Sequence, residues 1–345
     1  MPARSRSSVA GRRARAPRRA VSAAAPGRGG RQPHERRGDV VLRSPAGSVA
    51  RVAVDAGCCI HAWEVAGRER LHLPAPAAEF LRQDRTGGVP LLFPWANRLR
   101  GASLSALGRT ISLRGPRVHR DAEGRPMHGL LLRWPRWKVE ATADRLVATL
   151  EWAAHPELMR LFPFPQRLSL DVRLRDQAGG ARLTVVTRIE AAETPVPVSF
   201  GWHPYLRLPG PRAACSLRLP ASPAIRRVEL EAQLPVRRGG ALATTGAAAL
   251  GGGLGTRTLD DLLAGAVAGD VLAVEGPGGV AALELASGYR YVQVYSPRGA
   301  PFACLEPMTA PTAALSDGAA ELPVLGPGAA FTAVYSLSVV DGRSS

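Results

Sequence analysis

RLSLDVRLRDQAGGARLTVVTRIEA, residues 167–191, alternates apolar and polar side chains on both sides of a Gly-Gly turn. A two-residue period gathers the apolar groups of a strand on one face, so each half reads as a β-strand with one buried side. The alternation returns in YRYVQVYS (289–296) and FTAVYSLSVV (331–340), while WKVEATADRLVATLEW (137–152) reads as two strands joined near Asp144. Thirty Pro and 37 Gly punctuate these runs, and no long helical stripe competes with them. Many short strands between turn residues predict an all-β protein built as a large antiparallel sandwich. A Gly- and Ala-rich stretch at 239–255 reads as a flexible loop, and no linker divides the chain after about residue 39. The expectation is one domain over 39–341 behind a tail at 1–38.

That tail distorts the charge balance. The 345-residue chain carries a formal +17, yet residues 1–37 hold eleven Arg against the single acid Glu35, leaving only +7 on the other 308 residues. Lys138 is the only lysine, so the Arg excess reads as a codon habit, and the remaining Arg residues are scattered rather than gathered on one face. A nucleic-acid partner is therefore not expected. The tail lacks apolar periodicity and is read as disordered. Its paired arginines are not followed by the apolar run an export signal needs, and no stretch approaches a membrane span. Four cysteines (58, 59, 215 and 304) form no CxxC pair and no disulfide framework. A cytoplasmic protein with reduced thiols, a monomer or at most a weak homodimer, is the expectation.

Three stretches place polar groups in apolar, turn-forming settings. FGWHPYL puts His203 between an aromatic and a proline; RPMHGLLLR puts His128 before a glycine and an apolar run; FACLEPMT puts Glu306 in an otherwise uncharged segment, 302–310. A lone histidine of this kind is more often a core side chain bonded to a carbonyl. A buried carboxylate beside it, however, is costly unless paired. Pro307 suggests that the strand carrying Glu306 ends there in a shaped loop. His128, His203 and Glu306 could be a metal set, although no short His-x-His or HExxH spacing supports one. Alternatively, Glu306 is a general base and a histidine the general acid, held on opposite sides of one small substrate.

PWANR holds the only asparagine of the chain and offers the Trp95 ring, the Asn97 amide and the Arg98 guanidinium together. Asn97 is read as shaping the turn that presents Arg98, or else as bonding a hydroxyl directly. Gln293 alternates with Val292 and Val294 on a strand, sharing a face with Tyr291 and Tyr295. Asp260 and Asp261 are adjacent acids, a pattern more common in a solvated loop or a helix cap. Amide, guanidinium and carboxylate groups beside aromatic faces suit a polyhydroxylated ligand.

GGVPLLFPWANRLRG, PMHGLLLRWPRWKV, SFGWHPYLRLPG, LDDLL, YVQVYSP and ACLEPMTAPTAAL, in that order, resemble the aldose 1-epimerase (galactose mutarotase) family over roughly residues 40–340. The resemblance implies a β-supersandwich that interconverts the anomers of a free aldose with no metal and no organic cofactor. It implies Glu306 as base, His203 as acid, His128 as a second histidine near the reacting oxygens, and Arg98, Asp260 and Gln293 as sugar-binding groups. A hexose-6-phosphate mutarotase and a non-catalytic carbohydrate-binding module are the competing expectations.

Overall fold

The computed structural model describes residues 38–342, so the Arg-rich tail lies outside the described residues. The two halves of the 167–191 segment are the strands Gln166–Gln177 and Gly180–Ala191, twelve residues each and paired antiparallel along their whole length. Leu168, Leu170, Val172 and Leu174 lie opposite Ile189, Thr187, Val185 and Leu183, and all eight are fully buried. Each such aliphatic side chain contributes roughly 1.5–3 kcal/mol relative to exposure. The opposite face carries Asp171, bonded by Arg145 and Arg173.

These strands belong to a nine-stranded sheet ordered Gly252–Gly253, Ser216–Arg218, Val271–Gly276, Gly279–Ser287, Ala330–Asp341, Gly180–Ala191, Gln166–Gln177, Arg145–Glu151 and Lys138–Ala141. An eight-stranded sheet runs Thr244–Gly246, Arg226–Val228, Leu259–Ala264, Tyr291–Ser296, Phe302–Met308, Gly201–Trp202 and Leu91–Leu92, with Tyr205–Arg207 also pairing to Phe302–Met308. A four-stranded sheet over Val40–Arg43, Val49–Ala53, Cys59–Val65 and Arg68–Glu69 flanks them in sequence. All the strand pairings described are antiparallel. The three α-helices among the described residues (Ala77–Phe80, Pro156–Leu161 and Ala314–Asp317) are single turns or little more, and none is long and apolar enough to cross a membrane.

The two large sheets share one core. Trp202 of the eight-stranded sheet packs 6.0 Å from Tyr335 of the nine-stranded one, ring centre to ring centre. Its indole nitrogen donates to Thr187 Oγ1 at 3.0 Å. That bond explains a threonine among the inward aliphatics: a buried indole N–H needs an acceptor. Val292, Val294, Ala303 and Leu305 join the same core.

Local readings differ from the structure in three places. Residues 239–255 contain the short strands Ala241–Leu242, Thr244–Gly246 and Gly252–Gly253 and the 3-10 turn Ala248–Leu250 rather than one loop. The Arg257 guanidinium holds residues 249–253 of this stretch by donating to the carbonyls of Ala249, Leu250, Gly251 and Gly253. Asp260 and Asp261 sit inside the strand Leu259–Ala264, not in a loop or cap. Pro307 does not end its strand, which continues to Met308. On the flank facing Gly201–Trp202 and Tyr205–Arg207, residues 305–307 have no ladder partner, which leaves room for a residue without an N–H.

Candidate active site

Strand alternation gives the eight-stranded sheet two different faces. Where Val292, Val294 and Leu305 point into the core, Gln293, Tyr295 and Glu306 point the other way, and Gln293 lies directly opposite Glu306. Asp260, on the next strand over, pairs in register with Tyr295, and Gln293 Nε2 donates to its Oδ1 at 2.6 Å. Asp261 is turned away and bonds Arg227 at 2.6 Å.

His203 follows immediately after Gly201–Trp202. Since Trp202 enters the core, the next side chain emerges on the face that carries Glu306. Gly201 lets this happen: a Cβ there would stand 2.7 Å from the carbonyl oxygen of Pro307 and 3.0 Å from Ala96 Cβ. His203 stacks on Tyr205 (4.4 Å between ring centres, 7° between planes), and Tyr205 Oη shares a 2.6 Å hydrogen bond with Thr86 Oγ1. Its Nε2 lies 3.3 Å from Glu306 Oε1 and 3.4 Å from Tyr205 Oη.

The other wall comes from two segments bonded to each other. Asn97 has φ +54°, in the left-handed region that asparagine tolerates better than most residues. Its carbonyl accepts from the His128 amide at 3.0 Å, and Arg98 bridges to Met127. Asn97 Oδ1 accepts from Arg98 Nη1 at 2.9 Å, and Asp121 Oδ2 accepts from Arg98 Nε at 3.0 Å. Asparagine thus serves both the turn and the guanidinium. His128, at φ +61°, is followed by Gly129 at φ +75°, where a Cβ would fall 2.1 Å from the Phe93 carbonyl oxygen. This places the His128 ring edge-on to His203, 5.4 Å between centres.

Glu306, His203, His128, Arg98, Asp260, Gln293 and Asn97 line a single cleft of about 170 Å³, with Thr86, Met127, Tyr205 and Tyr295 completing its walls. Trp95, read in the sequence as a ligand-facing ring, is fully buried in the core. Besides its two histidines, the cleft's aromatic side chains are Tyr205 and Tyr295. Reading the residues alone did not single out Thr86, Tyr205 or Asp121. The Tyr of GWHPYL, two residues past His203 and so at a strand's repeat on the same face, was the available signal for Tyr205.

His203 and Glu306 also relate differently from the sequence reading, which set an acid and a base on opposite sides of a substrate. They touch, because Gly201 pairs with Met308 and so brings His203 beside the strand of Glu306. Burial governs their protonation. It pushes Glu306 well above the usual carboxylate range; the Asp260 charge adds to this and Arg98 opposes it. Burial likewise pulls His203 down to about 3, and His128 well below an ordinary histidine, with the neighbouring charges of His203, His119 and Arg98 contributing to the latter. The 3.3 Å contact has ion-pair geometry, but burial drives both partners towards neutrality. In the free cleft burial thus favours the uncharged form of each group.

The chain and its fold have known counterparts. The aldose 1-epimerase family model matches residues 39–338. The fold is similar to that of a Synechocystis sp. PCC 6803 protein, with a TM-score of 0.69 and 19% identity over 88% of this chain and 96% of that one. It is similar to a galactose mutarotase-like protein from Clostridium acetobutylicum (TM-score 0.67, 17% identity, 86% of this chain and 94% of that one). The GalM/aldose epimerase homologue from C. elegans gives 0.67 and 15%, covering 89% and 99%. No curated protein matches the chain. With a match that spans nearly all of the described residues and a β-sandwich shared with galactose mutarotase-like structures, the chain belongs to the aldose 1-epimerase family.

Proposed function

We propose that the cleft interconverts the α and β anomers of a free hexose such as glucose or galactose. The observation that carries this reading is the direct contact between Glu306 and His203, two buried groups with opposed pKa shifts. Ring opening moves one proton off O1 and another onto O5, and both oxygens are bonded to C1. An acid and a base in contact therefore suit the reaction better than a pair set across the whole ring.

Sugar hydroxyls entering the cleft hydrogen-bond to the Glu306 carboxylate and favour its charged form. The carboxyl proton passes to His203 Nε2 across the existing contact. Glu306 then takes the O1 proton while His203 protonates O5, and the C1–O5 bond opens to the aldehyde. The pair is left as carboxylic acid and neutral imidazole. After rotation about C1–C2, Glu306 returns its proton to O1 and His203 takes one back from O5, closing the other anomer. Raising the base and lowering the acid strengthens each in its role. The two titrate as one unit.

His128 stands edge-on to His203 near the reacting oxygens. Arg98, Asp260 and Gln293 hold sugar hydroxyls, and Gln293 Oε1 has no hydrogen-bond partner among the described residues. Asn97 holds Arg98 in place. At about 170 Å³ the cleft is smaller than the roughly 300 Å³ at which drug-sized pockets begin, which favours a monosaccharide. Two carboxyl groups against one arginine, itself shared with Asp121, make a poor phosphate site and favour a neutral sugar over a hexose 6-phosphate.

Polarimetry on freshly dissolved α-anomers tests this. Accelerated mutarotation of α-glucose or α-galactose, with little acceleration for glucose 6-phosphate, is the expected result. Sugar binding with no acceleration for any aldose would replace the enzyme by a carbohydrate-binding module.

A further inference from the structure

Cys304 precedes Glu306 by two residues on the same strand, so both side chains leave the sheet on one face. It pairs in register with Tyr295 on one side and Tyr205 on the other, and it is fully buried. Its sulfur, a carboxylate oxygen of Glu306 and an imidazole nitrogen of His203 all lie within 4.8 Å of one another. The mutarotation mechanism leaves this thiol without a role.

We propose that Cys304, His203 and Glu306 form an inhibitory site for a thiophilic divalent cation such as zinc. One thiolate, one imidazole and one carboxylate are each established zinc ligands, and sulfur selects zinc or cobalt over magnesium and calcium. Three protein ligands leave a fourth tetrahedral position for water or a sugar hydroxyl. Binding forms S–metal, N–metal and O–metal bonds, and the protons on the thiol and the carboxyl leave to solvent. The ion thereby removes the acid and the base together, so the enzyme is silenced by occupation of its own machinery. Removing the cation restores it without any covalent change.

The test uses the full-length protein with zinc chloride or cobalt chloride alone. Cobalt titration is expected to give one equivalent bound per chain with a thiolate-to-cobalt charge-transfer band, and zinc to abolish that band by displacement. Cys304→Ala is expected to lose the band and to weaken zinc binding by more than about 10-fold, the lower end of what even an indirect partner of a metal ligand contributes. The same variant should retain wild-type mutarotation yet resist zinc. Cys304→Ser, closer in size, serves as a second variant if the alanine protein melts early. An unchanged cobalt spectrum in both variants, or no cobalt binding to the wild type, overturns the proposal. The spectrum involves no sugar, so it reads the metal site even if the mutarotase reading fails. Conversely, a wild type that turns over sugar and ignores zinc removes the metal site alone.

Discussion

The strands Tyr291–Ser296 and Phe302–Met308 have two faces with the same backbone, the same register and nearly the same exclusion of water. One face presents Val292, Val294, Ala303 and Leu305 to the shared core. The other presents Gln293, Tyr295, Cys304 and Glu306 towards the cleft region. On the core face burial yields stability from apolar area. On the cleft face the same burial yields displaced proton affinities, with Glu306 raised and His203 lowered. Dryness is common to both, and the side chains decide whether it holds the fold or does chemistry.

Substitutions of the Glu306–His203 pair on the cleft face should therefore change turnover far more than folding. His203→Asn is expected to lower kcat by about 10²–10⁴-fold, the range for losing a general acid or base. Adding Glu306→Gln to it should change kcat little further, because the pair acts as a unit. Full additivity of the two losses in polarimetric rates would mean they work independently.

Substitutions on the core face should do the reverse. Leu305→Ala, one residue from Glu306, is expected to reduce stability by about 2–5 kcal/mol in urea unfolding. Turnover per folded molecule should remain near wild type at low temperature. A large kcat loss in a folded Leu305→Ala protein would blur the division between faces.

A smaller effect sharpens the comparison through pH. Glu306 has a folded-state pKa above its unfolded value, so the stability linked to it is present below about 4.3 and is lost as pH rises through the folded value. His203, lowered to about 3, behaves oppositely: its contribution is present above about 6.5 and is lost as pH falls towards about 3. The melting temperature of Glu306→Gln relative to wild type should accordingly rise with pH, and that of His203→Asn should rise as pH falls. Parallel melting curves at all pH values would show that neither group titrates abnormally.

How much of this was visible in the sequence follows from which contacts are local. The alternation in 167–191 and 331–340 depends on a two-residue period within one strand, and the strands Gly180–Ala191 and Ala330–Asp341 cover those runs to within a residue or two. The opposite sense of Gln293 and Val294 is equally local. The Glu306–His203 contact is not, for it depends on Gly201 finding Met308 across the sheet. Trp95 misled because a ring beside a polar turn looks the same in sequence whether it faces solvent or core; the left-handed turn at Asn97 accompanies an inward Trp95. Residues 239–255 are short of side chains that signal strands, and the arginine that ties them, Arg257, lies outside the stretch. Asp121 acts through Arg98, and nothing in its own neighbourhood marks it.

The most direct test is the polarimetric rate of Glu306→Gln on fresh α-glucose, alongside calorimetric sugar binding and a thermal melt of the same preparation. The account predicts retained sugar binding, an intact or higher melting temperature, and mutarotation reduced by about 10²–10⁴-fold. A folded, sugar-binding Glu306→Gln protein that mutarotates at the wild-type rate would contradict it.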